Sequence, residues 1–551
     1  MTRSDLRAKS LGAYYTNPLV ARYLVRWAIR NAADTVLDPS FGEGVFLEAA
    51  LDVLSASATA KTQVFGVEYD KGTYQRAKEV LSDRIDPCNI LCADFFDVTG
   101  GPDLQGFAKP DLPSFDVVVG NPPFIRYHRF NGKARLKAQK RSRHLGIELN
   151  GLSSSWAHFV VHSVSFLKAD GRLAMVLPAE FMHASYAGPV VKFLADSFRS
   201  IRVLTFRKKL FPDLSEDTIL ALGEGKGITP VSFSVTDLES VDALTGRIQK
   251  GRPVDIQPVV KGLTRLMEYL LPDSTRQLYT RLKSDERVTR LADIADVGIG
   301  YVTGNNDFFH LTEKESREYA IPEEFMLPCI RRSSQLKGIF FTKADWKHEL
   351  GLGEAVLLLH LAGRQGRLPQ PIRRYLTTGE QQGVPKAYKC RNRNPWWVVP
   401  NVYACDGFLT YMSGNKAQLV VNQAGAVARN TLHIVRLHKP NRVEMMRLAV
   451  SWLTSLTTLS TEIEGHSLGG GMLKLEPGEA ARTLVPLPTM KKTAVQELAK
   501  EVDSQIRAGQ WETAQSLADQ TILLDGMGLR KRDVSLLRNG AKQLRLRRYS
   551  R

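Results

Sequence analysis

The sequence predicts an α/β fold with a mostly parallel sheet over about the first 225 residues, followed by a second domain. Three observations carry that expectation. The chain has 551 residues, too many for one ordinary domain. Apolar runs alternate with helical periodicities as far as about residue 222, the pattern of strands joined by crossover helices. Beyond that point the alternation weakens through GEGKGITP and QKGRPVDIQP, which are rich in Gly, Pro and charge.

The elements follow in order. A helix is expected within residues 10–30, with Asn17 as N-cap and Pro18 at its first position. Thr35–Leu37 reads as a short strand ending at Asp38. Gly42 and Gly44 then make a turn, and Phe46, Leu47 and Ala50 begin a helical pattern. Strand, glycine turn and helix form the usual opening of a nucleotide-binding unit. The spacing lacks the third glycine of the dinucleotide fingerprint. QVFGVEYD is a second strand ending in Glu68, placed to meet ribose hydroxyls. NILCADFF is a third, ending in Asp94 and Phe95, a carboxylate and an aromatic suited to an adenine ring. Phe115–Val119 is a fourth, an almost unbroken apolar run closed by Gly120. Later members are the helix SSSWAHFVVHSVSFLKA, the strand GRLAMVLPAEF, a helix near Val190–Asp196, and the strands IRVLTF and DTILALGE. Residues 226–285 read as a linker or peripheral region with a helix near 272–284. Residues 286–490 carry short strand candidates (KGIFF, AVLLLHLA, WWVVP, QLVVNQ), and 491–551 return to helical periodicity with a basic end.

The chemistry converges on the end of the fourth strand. Asn121-Pro122-Pro123-Phe124 follows it directly, and two prolines cannot continue a sheet because neither has an N–H to give. They stiffen the chain where such a sheet presents its ligand crevice. The amide oxygen of Asn121 and the Pro122 carbonyl suit the two hydrogens of a planar amino group, with the Phe124 ring beneath it. A strand-terminating turn would account for the four residues alone, but not for four successive strand ends with polar payloads.

The order YYTNPLVARYLV, VLDPSFGEGVF, GVEYD, ADFF and GNPPF resembles the gamma-class N6-adenine DNA methyltransferases of bacterial restriction–modification systems. The resemblance covers about residues 1–225 strongly. It extends weakly through GIGYVTGNNDFF and GGGMLKLEP, which look like parts of that family's recognition domains. It implies a Rossmann-like catalytic domain over 1–225 that uses S-adenosylmethionine. It also implies a C-terminal α+β target-recognition domain over 286–490, with 491–551 a helical basic segment. By the same resemblance Tyr15, Thr16, Asp38, Ser40, Gly42, Glu68, Asp94, Phe95 and Asn121 hold the cofactor. Asn121, Pro122, Pro123 and Phe124 act on the flipped-out adenine, and Phe211, in KLFPDLSEDT, supplies a second stacking wall.

Composition agrees with a polyanionic partner. Net charge is +18 with pI near 9.6, and double-stranded DNA is the expected one. Arg126, Arg129, Lys133, Arg135, Lys137, Lys140, Arg141 and Arg143 follow the catalytic motif and are expected at the DNA backbone, Arg126, Arg129, Lys137 and Lys140 foremost. The second cluster, Arg530 to Arg548, reads as a solvated face. No apolar run approaches a membrane span and MTRSDLRAKS lacks a signal-peptide core, so a cytoplasmic protein is expected. Five scattered cysteines suggest neither a disulfide framework nor a metal site. Methylation of a protein glutamine or of an RNA amine could use similar NPPF chemistry; the basic charge and the large second domain favour DNA. Only about ten residues precede the first methylase segment, which leaves no room for an N-terminal nuclease. A stand-alone methylase is therefore expected, paired with a separately encoded restriction endonuclease, and one recognition region in one chain fits a monomer.

Overall fold

The computed structural model describes residues 16–55, 59–100, 111–125, 129–151, 153–183, 187–211, 217–230, 232–245, 250–363, 368–414 and 416–550. The chain divides into two compact units, Met1–Leu270 with Tyr549–Arg551, and Leu271–Arg548.

The first unit is built on one nine-stranded sheet. Its helix α1 (Pro18–Ala28) starts as expected, Asn17 Oδ1 accepting the Leu19 N–H at 2.8 Å with Pro18 at the first turn. The strands are β1 (Val36–Asp38), β2 (Val64–Glu68), β3 (Ile90–Cys92), β4 (Phe115–Gly120), β5 (Leu167–Pro178), β6 (Phe198–Phe206), β7 (Thr218–Lys226), β8 (Ser232–Leu238) and β9 (Arg252–Pro253). Their spatial order is β9-β8-β6-β7-β5-β4-β1-β2-β3. β1 pairs in parallel with β2 on one side and β4 on the other. The chain thus leaves β1 toward β2 and β3, then returns to β1's opposite flank. That reversal makes the carboxyl ends of β1 and β4 the topological switch point, where a parallel sheet opens a crevice. Val36, Leu37, Val117, Val118 and Val119 are all buried, which explains why both strands are largely apolar. Helix α2 (Val45–Val53) follows β1, α3 (Lys71–Leu81) follows β2, and α4 (Gly132–His144) and α5 (Ser155–Val164) lie between β4 and β5.

Two expectations need correction. Residues 226–285 are not a linker. β8 pairs with β6 in parallel through seven residue pairs, so this segment extends the catalytic sheet, and the units part at Leu270/Leu271. Residues 491–551 are helical as expected, with helices Lys492–Arg507, Trp511–Ala518 and Lys531–Tyr549, and up to Arg548 they belong to the second unit, but the basic end is not wholly a solvated face. Glu462, only 4% exposed, accepts from Arg545 (3.2 Å) and Arg548 (2.9 Å), and Asp519 accepts from Arg538 (2.9 Å). Arg545 and Arg548 are therefore structural rather than solvated, while Arg530, Lys531, Arg532 and Lys542 are exposed as a solvated face requires.

The second unit is α+β. A five-stranded sheet runs Ala295–Ile299, Leu432–Leu437, Gly407–Thr410, Leu419–Asn422, Phe340–Phe341. A four-stranded sheet runs His310–Leu311, Leu357–Leu359, Met326–Ile330, Val427–Ala428. WWVVP forms no strand; Trp396 instead packs its ring against Phe308 and Trp397. Among the described residues no helix is long and apolar enough to cross a membrane.

Candidate active site

The switch point gathers the expected polar residues. Asp38, at the end of β1, is fully buried; its Oδ1 accepts the Ser40 N–H at 3.0 Å, while Oδ2 has no partner. Burial, and then the charge of Glu68, push its carboxyl up to about 8, against the pull of the Ser40 N–H. Gly42 follows with φ +54°, and nothing lies within 4 Å of where a Cβ would stand. The loop therefore needs glycine for its backbone turn and faces open space. Glu68, at the end of β2, accepts the Gly42 N–H at 2.9 Å through one oxygen and the Asp70 N–H at 2.7 Å through the other. It ties the glycine loop to the second strand, and burial raises its pKa against those two N–H groups.

The β4 end is more tightly specified. Ser40 Oγ donates to the Asn121 carbonyl at 3.2 Å. The Asn121 Nδ2 donates to Thr16 Oγ1 at 3.2 Å. Its Oδ1 is then buried with no partner, an acceptor held in place for a donor. Behind the prolines, Ser155 at the start of α5 donates to the Pro123 carbonyl and accepts the Ile125 N–H at 2.8 Å. The Asn121 and Pro123 carbonyls are thus both occupied within the protein. Ser155 carried no functional signal in the sequence; it sits in a Ser-Ser-Ser run that reads only as a helix start. Phe124 is buried at 6% exposure and Phe211 at 7%.

The third strand end differs from expectation. Asp94 Oδ1 accepts the Phe96 N–H at 3.1 Å, and its Oδ2 meets Lys137 Nζ at 3.3 Å. The Phe95 ring is 4% exposed and packs on Phe159, His162 and Phe166 at 4.6–5.2 Å. It is a core ring, not an open face for an adenine. Lys137 is also corrected: it bridges Asp94 and Asp97, the latter at 2.5 Å, so its charge is already compensated. Farther along the same helix Arg141 is buried, its Nε donating to the Phe96 carbonyl at 2.9 Å. Arg129 and Lys140 are exposed. Tyr15 and Arg126 lie outside the described residues.

Comparison with known proteins places both units. Residues 3–222 match the N-6 DNA methylase family, and residues 264–523 match the C-terminal domain of the type II methyltransferase M.Eco57I. The chain is 24% identical over 485 residues to the type II methyltransferase M.AccI of Acinetobacter calcoaceticus, covering 86% of this chain and 84% of that protein. It is 23% identical over 492 residues to M.XamI of Xanthomonas campestris pv. amaranthicola, covering 87% and 86%. In fold it is similar to the type IIL restriction–modification enzyme MmeI solved with DNA, with a TM-score of 0.57 at 12% identity over 99% of this chain and 80% of that one. The cofactor of such a domain is S-adenosylmethionine. The unpartnered buried Asp38 Oδ2, the open glycine turn at Gly42 and the Glu68 carboxylate fit its ammonium and ribose groups.

Proposed function

We propose that this chain, which belongs to the N-6 DNA methylase family and carries an M.Eco57I-type C-terminal domain, methylates the exocyclic N6 of adenine within a specific DNA sequence. The sulfonium of S-adenosylmethionine supplies an activated methyl group. The remaining barrier is the amine, whose lone pair is delocalised into the ring. The Asn121 Oδ1 and the Pro122 carbonyl accept its two hydrogens and favour a pyramidal nitrogen, which is positioning with electrostatic stabilisation. The amine is out of reach within a duplex, so the base is extruded at a cost of about a few kcal/mol, with Phe124 and Phe211 as stacking walls.

The observation that carries this reading is the Asn121 amide, oriented by Thr16 with its buried oxygen lacking a donor. No catalytic acid or base is needed beside it. The second unit is assigned to reading the sequence, since the catalytic motifs are committed to cofactor and flipped base. We further assign the chain to act as a cytoplasmic monomer, with cleavage left to a separately encoded endonuclease. Modification-sensitive sequencing of DNA treated with the purified protein tests the reading. N6-methyladenine at one recurrent sequence supports it; a mark on cytosine, or on RNA or protein alone, refutes it.

A further inference from the structure

In the second unit, Met326–Ile330 and Val427–Ala428 pair in parallel, Cys329 opposite Val427 and Ile330 opposite Ala428. The next residues in that register are Arg331 and Arg429, and the Arg429 N–H donates to the Ile330 carbonyl at 3.1 Å. Two arginines therefore leave neighbouring strand ends side by side. Tyr301, from GIGYVTGNNDFF, bridges to Arg429 from the next segment.

Their surroundings do not neutralise them. Among the described residues, neither guanidinium has a carboxylate within ion-pair distance, and both Nε atoms are buried without a partner. Arg331 reaches only the Ala355 carbonyl, at 3.4 Å. Arg332, by contrast, pairs with Glu354. The groups closest to the pair are neutral. Tyr301 Oη and His310 Nε2 lie 2.9 Å apart, and His310 Nδ1 meets the Asn306 carbonyl at 3.0 Å. Nδ1 therefore carries the proton and Nε2 accepts from the tyrosine. Burial, and then the two arginines, hold His310 down to about 4, while burial and then Cys329 hold Tyr301 well above its ordinary range against the opposing pull of the same arginines, so neither titrates near neutrality. Cys329 is pushed up to about 12 by burial and stays a thiol. Asp307 is the acidic group whose charge reaches Arg429, and it forms no ion pair with it. Arg429 is held below its usual pKa by burial and then by Arg331. Like charges this close are relieved by an anion between them more than by the neutral edge of a base.

From this arrangement we propose that Arg331 and Arg429 form a two-arginine clamp that grips a single DNA backbone phosphate. The clamp rests on the reading of the chain as a DNA methyltransferase, and it fixes the second unit on the duplex without reading its sequence.

The test uses the full chain, with Arg331→Gln, Arg429→Gln, the double variant and Arg429→Lys. Binding to a duplex carrying the methylated sequence and to an unrelated duplex is followed by fluorescence anisotropy across a salt series. One shared phosphate predicts that the slope of log K against log salt flattens by about 0.9 in the double variant. Both duplexes should weaken in the same ratio, the methylated sequence should not change, and Arg429→Lys should keep the slope. A flattening of about 1.8 would mean two separate phosphates and overturn the shared clamp. A changed methylation sequence would make the arginines base readers, and an unchanged slope would remove them from DNA; either overturns it. A lowered melting temperature in Arg429→Lys as well as Arg429→Gln, with the slope lost in both, would assign them to folding and overturn it too. Failure of the wild-type chain to bind DNA in a salt-dependent way would instead defeat the methyltransferase reading itself.

Discussion

Replacing Asn121 by Ala removes an acceptor that the fold has oriented and left without a donor. Removing one preorganised group of this kind costs about 10²–10³ in kcat, or roughly 2.7–4 kcal/mol. Thr16→Val leaves the amide in place but deletes the hydroxyl that accepts its Nδ2 at 3.2 Å. Losing one such bond costs about 0.5–1.5 kcal/mol, roughly a 2- to 12-fold fall. The two residues act in series, so their effects should not add. Once the amide is gone, Thr16 has nothing to orient, and the double variant should turn over no slower than Asn121→Ala alone. Single-turnover transfer of a labelled methyl group to duplex DNA measures the rates. Calorimetry of S-adenosylmethionine binding should stay close to wild type for Asn121→Ala, because the free acceptor serves the target amine. Near-wild-type turnover by Asn121→Ala would refute the mechanism. Fully additive losses in the double variant would refute the orienting role of Thr16.

Four further outcomes follow from the same geometry. Asp38 keeps a proton in the folded protein up to about pH 8, against an ordinary value of 3.8; the folded form holds more protons between those limits, so its contribution to stability falls as pH rises through that window and levels off above it. Thermal unfolding of Asp38→Asn from pH 5 to 9 should show a flatter dependence than wild type, and an equal slope would sink the assignment. Glu68→Ala should weaken S-adenosylmethionine by about 1.5–3 kcal/mol, roughly 10- to 150-fold in Kd; unchanged affinity in calorimetry would make Glu68 only a loop tie. Lys137→Ala should leave the salt slope of DNA binding nearly untouched, since Asp94 and Asp97 already hold that charge, while shifting cofactor affinity through Asp94; a slope loss of about one unit would return Lys137 to the phosphates. A fragment ending at 270 should be soluble and bind the cofactor, whereas one ending at 225 should aggregate, because it strips β8 from β6 and leaves an unpaired strand edge.

The first unit was legible in the sequence wherever one residue had one thing to do. A strand buried on both faces reads as an apolar run, and the polar residue that ends it stands at the crevice because the sheet is parallel. That is why Asp38, Glu68 and Asn121 could be placed without coordinates. Ser232–Leu238 was missed for the complementary reason. It lies next to an edge strand, keeps Ser232 exposed and Ser234 half-exposed, and so alternates polar and apolar residues between glycine- and proline-rich flanks. Phe95 and Phe96 are adjacent and both buried, and spacing alone does not say which ring faces a ligand.

Charge was the least legible feature, and the reason is physical. A run of basic residues looks the same in sequence whether each cation meets solvent, a phosphate or a carboxylate brought from elsewhere. Lys137 meets Asp94 and Asp97 across about forty positions, and Arg548 meets Glu462 across 86. Both clusters singled out by local density thus lose members to internal pairing. Arg331 and Arg429 are 98 positions apart (429 − 331) and neither belongs to a dense run. They become conspicuous only when parallel pairing sets them side by side over a neutral tyrosine–histidine pair. On the proposed clamp, a DNA-contacting cation is marked by an uncompensated charge at a strand end rather than by a high local count of Lys and Arg. Substituting the paired Lys137 and the unpaired Arg429 in parallel puts that distinction to a single measurement, the salt slope.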